Sequence, residues 1–431
     1  MLTAITGVNW GDEGKGRMVD LLSREYDIVA RYQGGNNAGH TVKNQQGKFV
    51  LNLLPSGILR PGVVCVMGGG MVIDPAHLKK EIDALRAQGV DIGPGNLKIS
   101  DRATICMPWH VQQDGLEEDR LAASGSQFGS TRRGIAYAYG DKYMKKTLRM
   151  GDLLHLDERL KEHLATIVQW KNLTMERVYG AQPTSLEQLW AWCAQYAAEF
   201  REYICDTGAY LAQADDAGKK ILFEAQLGAL RDIDFGIYPY TSSSNVIGAY
   251  APIGAGLPGH RLDKSIGVMK AYSSCVGEGP FAAELAMTEQ QAHLLREAGH
   301  EYGAATGRPR RVGPFDVVAS RYGAACQGAD ELALTLLDVL GYMERIPVVT
   351  RYLVDGRECD SFPMGSALET ARPVVEYLPG WQCDIGGCRS WAQLPKAAKD
   401  YVRYLEKAVG RPIRCISVGP ERDAYLVREP D

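Results

Sequence analysis

The chain has no surplus of positive charge: 48 Lys and Arg against 52 Asp and Glu leave a formal net charge of -4 over 431 residues. No global basic field therefore argues for nucleic acid or an anionic membrane surface as partner. No run approaches the roughly 18 apolar residues of a membrane span. The start of the chain lacks the basic segment and long apolar segment of a signal peptide, so a cytoplasmic protein is expected. The ten cysteines lack metal-ligand spacing. The closest pair, Cys383 and Cys388, has four residues between its members, and no second pair or histidine lies nearby. Zinc is not expected, and free thiols in a reducing compartment are the simplest reading. Internal repeats, low-complexity tracts and long Pro/Gly/Ser linkers are missing too. The length alone would allow two or three domains. Without a linker to divide it, the chain is expected to form one elaborated domain over 1–431.

What is present is ordinary globular composition, 45% hydrophobic and 23% charged, with a strand–loop–helix rhythm. "LTAITGV" reads as a buried strand and "RMVDLLSREY" as a helix. "DIVARY" and "VVCVMGG" read as further strands, and "DPAHLKKEIDALRAQG" as a helix opened by Asp74 and Pro75. Residues 156–217 are mostly helical by pattern. "KILFEA", "LALTLLDVL", "VVTRYLV" and "IRCISVG" restore the strand rhythm. The fold class expected is α/β, with a central, largely parallel sheet, a P-loop-like nucleotide site and helical elaborations.

Two loops carry chemistry. "GVNWGDEGKG", residues 7–16, puts four glycines, two carboxylates and a lysine between a strand and a helix. Backbone N–H groups at a helix N-terminus suit phosphate oxygens. The loop is not a Walker A motif, because Arg17 follows Gly16 where Ser or Thr would hold magnesium. Asp12 can serve as magnesium ligand, base, or both. A tight turn whose acids cap the next helix is an equal alternative on local features. "GGNNAGHT", residues 34–41, also follows a strand, which would place it beside the first loop in a parallel sheet. It offers Asn37, the Gly39 backbone, His40 and Thr41, and histidine suits donation to an oxygen that gains charge.

"NWGDEGKG" followed by "RYQGGNNAGHT" resembles the adenylosuccinate synthetase family. The match continues through "LLPSGIL", "MGGGMVIDP", "YPYTSSSN", "KAYSSCVGEGPFAAEL", "GRPRR" and "SVGPERD", essentially the whole chain. The resemblance implies a homodimeric ligase that joins aspartate to the 6-position of IMP and hydrolyses GTP. It implies catalysis by Asp12 and His40, and Mg2+ held by Asp12 and the Gly39 carbonyl. The GTP site it implies comprises Gly11, Asp12, Glu13, Gly14, Lys15, Gly16, Arg17, Gly39, His40, Thr41 and Arg310. Leu336, Leu337, Asp338, Ser417, Val418 and Gly419 complete it around guanine, with Asp338 reading the base N1–H and 2-amino group. For IMP it implies Asn37, Ala38, Thr131, Arg133, Leu227 and Ser242, with Lys145 reaching the partner subunit's site. For aspartate it implies the loop Ala304, Ala305, Thr306, Gly307, Arg308, Pro309 and Arg310. Arginine forks match a substrate with two carboxylates.

Departures from the family pattern cluster. "GSTRRGIAYAY" carries Arg132, Ala136 and Tyr137 where the family has two glycines and a proline, so its turn is bulkier. The family's "EGAQG" becomes "EAQLG": at equal spacing Leu227 replaces an amide near the nucleotide base, and Gln226 sits one place early. Lys145 replaces an arginine and loses its fork. Leu336 replaces the lysine that packs over guanine. Pro309 replaces one arginine of the aspartate loop and stiffens it. Three readings follow, in this order: adenylosuccinate synthesis; a divergent paralogue acting on another 6-oxopurine nucleotide or amine; and a catalytically inactive nucleotide sensor, against which the Asp12 and His40 pair counts.

Overall fold

The computed structural model describes residues 1–428 apart from 38, 45–46, 126–128, 304–306, 308 and 422, together with the backbone but not the side chains of 41, 43, 44 and 48. Ten strands build the main sheet. In chain order they are β1 (Leu2–Gly7), β2 (Ile28–Arg31), β3 (Val64–Met67), β4 (Leu97–Ser100), β5 (Ile204–Cys205), β6 (Ile221–Glu224), β7 (Lys264–Lys270), β8 (Glu331–Thr335), β9 (Ile413–Ser417) and β10 (Tyr425–Val427). Across the sheet they run β10-β9-β8-β7-β1-β6-β2-β3-β4-β5. All neighbours are parallel except β9 with β10. The largely parallel α/β expectation holds. One detail is corrected: β1 and β2 are not neighbours, because β6 lies between them and pairs with both. Nothing local in the sequence sets the order of parallel strands, since their pairing is long-range.

The strands are apolar on both faces, as a sheet covered on both sides requires. Alternate residues feed different cores. Val29, Leu222 and Ile5 join one cluster, while Ile28, Ala30, Ile221 and Phe223 join another on the opposite face. Phe223 is fully buried, so Phe223→Ala would cost about 3–5 kcal/mol, lost transfer energy plus a cavity.

Helices cover these faces: α1 (Lys15–Leu22), α2 (Pro75–Ala87), α3 (Pro108–Ala122), α4 (Ile135–Met144), α5 (Glu158–Tyr179), α6 (Leu186–Phe200) and α7 (Thr207–Asp216). The start of α2 is set by Asp74, whose carboxylate accepts from the His77 N–H, and by Pro75 in the first turn. The helical stretch read at 156–217 is α5, α6 and α7, broken by residues 180–185 and by short β5. In α5, Asp157 caps the N-terminus, Gly180 ends it with φ +61°, and Leu164, Ile167, Val168, Lys171 and Met175 face inward at helical spacing. Buried Lys171 is satisfied by Asp141 of α4, which also accepts from His110 of α3. One polar hub thus ties three helices together. "VVTRYLV" departs from the expected parallel rhythm. It lies in Arg345–Val354, which pairs antiparallel with Arg357–Cys359 and Arg372–Pro379 in a separate small sheet. The expected strand "LALTLLDVL" stops at Thr335 because Leu336 turns to φ +59°.

Candidate active site

Loops at the carboxyl ends of β1, β2, β6, β8 and β9 converge, the usual place for a ligand in a parallel sheet. The loop after β1 turns through Gly11 at φ +103°, Asp12 at φ +61° and Gly14 at φ +90°. Gly14 caps α1 and, as a glycine, brings no side-chain bond to its first N–H groups. Glu13 is turned inward. It accepts from the N–H groups of Asn9 (3.1 Å) and Gly11 (2.8 Å) and pairs with Lys15 at 2.6 Å. Both charged partners are almost fully buried, at 1% and 3% exposure. Thr335, at the end of β8, donates to the Glu13 carbonyl at 2.7 Å and ties the loop to the sheet.

The second loop meets the first at Gly16. A β-carbon there would lie 2.7 Å from Cβ of His40, so only glycine lets the histidine approach α1 this closely. His40 Nδ1 is 2.5 Å from Glu224, which closes β6. A carboxylate only accepts, so Nδ1 carries the hydrogen and Nε2 is left for chemistry. Glu224 also accepts from the N–H and hydroxyl of Ser56, both at 2.7 Å. Burial pushes its carboxyl up, but His40, Arg31 and Ser56 outweigh burial and hold its pKa below the ordinary value. Sequence reading missed Glu224. It ends an apolar run, and nothing local marks a partner 184 residues away. The clue was its place at the carboxyl end of a strand in this sheet. The Asn37 Oδ1 is buried with no partner among the described residues. Ala38 and the Thr41 side chain lie outside the described residues.

Asp12 is one-third exposed and faces Arg310 Nε at 3.4 Å. Arg310 in turn bonds Glu301 at 2.8 Å, and buried Glu301 accepts from Lys270 and Tyr272. Burial raises the Glu301 carboxyl, and its cationic neighbours more than reverse that. Gly307 turns at φ +65°, and Pro309 bridges to Tyr302. Ala304, Ala305, Thr306 and Arg308 lie outside the described residues.

At the other end, Arg17 donates to the Ser417 hydroxyl (2.7 Å), to the carbonyls of Gly419 and Ala424 (2.5 and 3.1 Å), and to that of Glu421. Leu337 N–H donates to the Ser417 carbonyl, and Val418 N–H to that of Ala424. Asp338 sits beside this cluster with its Oδ1 buried and unpartnered among the described residues. Burial raises its pKa, with Arg17 opposing. A carboxylate oxygen held without a donor is an open acceptor.

The remaining predicted residues lie on several elements. Thr131, Arg132 and Arg133 are exposed ahead of α4. Arg132 holds φ +56° and pairs with Asp119 at 2.6 Å. Ala136 is exposed and Tyr137 half-buried. Ser242 shares a 3.0 Å bond with Ser244. Lys145 ends α4, exposed, at φ +60°, next to exposed Tyr143 and Met144. Leu227 is half-buried at φ +65°, beside Gly11. No group of three or more His, Cys, Asp or Glu among the described residues could hold a metal alone. No described helix is long and apolar enough to cross a membrane.

The family profile for adenylosuccinate synthetase matches residues 4–426. The adenylosuccinate synthetase of Caldanaerobacter subterraneus subsp. tengcongensis is 43% identical over 99% of each chain. That of Carboxydothermus hydrogenoformans is 43% identical over 98% of each. The structure of fully ligated adenylosuccinate synthetase from Plasmodium falciparum superposes with a TM-score of 0.92 at 34% identity, covering 99% of this chain and 100% of that one.

Proposed function

The chain belongs to the adenylosuccinate synthetase family, and from that premise we propose how its residues join aspartate to IMP at the expense of GTP. The reaction gives adenylosuccinate, GDP and phosphate. Asp12 takes the proton from N1 of the purine, which makes the 6-oxygen nucleophilic. That oxygen bonds the γ-phosphorus as the bond to GDP breaks, and His40 as the imidazolium, its Nδ1–H held on Glu224, donates its Nε2–H to the 6-oxygen as it gains charge. The amine of aspartate then bonds C6 and loses a proton, and phosphate leaves. Two accessible steps replace displacement of an oxide.

Lys15 and the N–H groups at the start of α1 hold phosphate oxygens. Asp338, with its open acceptor oxygen, reads guanine, because adenine lacks both of the donors it would accept. Arg310 and the neighbouring loop meet the carboxylates of aspartate. Magnesium takes hard oxygens, with one or two from protein and the rest from phosphates and water. A part-exposed Asp12 carboxylate and the backbone carbonyl of Gly39 are oxygens of the kind that donor set needs. When bound, the ion neutralises charge on the transferring phosphoryl group. A homodimer with Lys145 serving the partner's site, cytoplasmic location and a single working unit over 1–431 complete the proposal. The family match along 4–426 supports the last of these.

The observation that carries the reading is the contact of the two loops. Gly16, four residues after Asp12, lies so close to His40 that a β-carbon there would come within 2.7 Å of the histidine Cβ. The test is phosphate release by purified protein with GTP, IMP and aspartate. Turnover dependent on all three is expected, and no turnover would overturn the reading. A second acceptor is favoured by one observation: Leu227 stands apolar where a base-contacting amide is expected. The same assay with dIMP, GMP and dGMP decides it.

A further inference from the structure

Gln226 fills a position that the family motif gives to alanine, and its amide is fully engaged. Its Nε2 donates to the Gly35 carbonyl at 3.0 Å, and its Oε1 accepts from the Gly35 N–H at 3.1 Å. The side chain thus pairs with that backbone as a neighbouring strand would. It is 1% exposed. A β-carbon at Gly34 would come within 1.8 Å of Oε1, so the turn at φ +81° and the amide fit only each other. From the opposite side, the Tyr139 hydroxyl accepts from the Gly34 N–H at 2.9 Å and donates to the Gly70 carbonyl at 2.8 Å. The Gln226 carbonyl accepts from Gln33 at 2.7 Å, and Gln33 accepts from Ser244, the partner of Ser242. The segment leading to Asn37 and His40 is therefore clamped from both sides.

We propose that Gln226 is a positioning residue that sets acceptor specificity. The chain uses its amide to fix the Gly34–Gly35 backbone, and so the aim of Asn37 and His40, and leaves apolar Leu227 where the family has a base-contacting amide. This rests on the acceptor site described under the proposed function. The backbone clamp substitutes for a direct contact to the base. It holds the reading groups in place, and it relaxes discrimination at the purine edge that faces residue 227.

The test is steady-state kinetics of the full chain and three variants. Gln226→Met keeps the volume without the amide. It should raise the Michaelis constant for the acceptor nucleotide about tenfold, the size of losing a pair of net hydrogen bonds. The constant for GTP should stay within about twofold. Gln226→Glu should behave like Gln226→Met, because a carboxylate cannot donate to the Gly35 carbonyl. Gln226→Ala with Leu227→Gln puts the family's alanine and amide back at 226 and 227, and should lower the Michaelis constant for IMP and narrow the range of acceptors. Equal changes for GTP and acceptor, or none for either, would overturn the proposal. A parent that releases no phosphate with GTP, IMP and aspartate sinks the ligase reading instead. Amide exchange over residues 33–37 then decides the clamp: faster exchange in Gln226→Met at an unchanged thermal midpoint supports it, and unchanged exchange overturns it.

Discussion

Between residues 7 and 17 the positive-φ positions are Gly11, Asp12 and Gly14, whereas among the residues expected around the acceptor Arg132, Lys145 and Leu227 take up positive φ. The first segment uses glycine where the turn demands it and departs once, at the residue proposed as the base. The second carries three bulky side chains in a conformation that costs an L-residue roughly 1–2 kcal/mol each. The phosphate end also keeps every residue that the resemblance implies, while the substitutions fall around acceptor, guanine and aspartate. Phosphoryl transfer allows few arrangements of charge and backbone. The shape of an acceptor pocket can be rebuilt, with the cost absorbed by new bonds such as those of Gln226.

The sharpest test of the contrast lies at the phosphate end. Asp12→Asn should abolish turnover while the thermal midpoint barely moves, since its ion pair with Arg310 is long and one-third exposed. Near-normal turnover would show that this end is not the fixed one. His40→Asn should cost roughly 10²–10⁴-fold in kcat, the range of a positioned acid or base. A loss below tenfold would remove His40 from the chemistry. Asp338→Asn should raise the Michaelis constant for GTP by about a hundredfold and erase the preference over ATP, because an amide cannot accept from two donors as a carboxylate does. Equal use of GTP and ATP by the parent would break the prediction at its base. The smallest effect belongs to the residues around the acceptor. Arg132→Gly relieves a left-handed residue, a gain of about 1 kcal/mol, and loses an exposed ion pair worth at most about 1 kcal/mol. Urea unfolding should therefore show a change between zero and a slight gain. A clear loss would mean that the turn carries no strain.

The strands and helices near the site were legible because each has its own periodicity and punctuation. Asp74 and Pro75 announce α2, and an apolar run followed by glycines announces β1 and its loop. Asp12, Lys15 and His40 were legible because they sit in dense local motifs. What could not be read is long-range. The insertion of β6 between β1 and β2 depends on sheet order, and with it comes Glu224 beside His40. The two-way bond of Gln226 to Gly35 spans 191 residues, so from sequence it was visible only as a shifted amide. The antiparallel sheet around Arg345–Val354 shares its apolar alternation with any strand.

The inward turn of Glu13 bears on how the enzyme meets its nucleotide. Lys15 already has a counter-ion within the fold, at 2.6 Å and screened from water. The pair is close to neutral when viewed from a distance, so this lysine casts little field into the solvent to draw in a polyphosphate. Its charge acts once the phosphate is in contact, when the lysine is shared between two anions without having to shed a hydration shell. Capture of GTP at this loop should then be governed by fit more than by steering. An association rate that changes little with ionic strength in stopped-flow measurements is the kinetic sign of it.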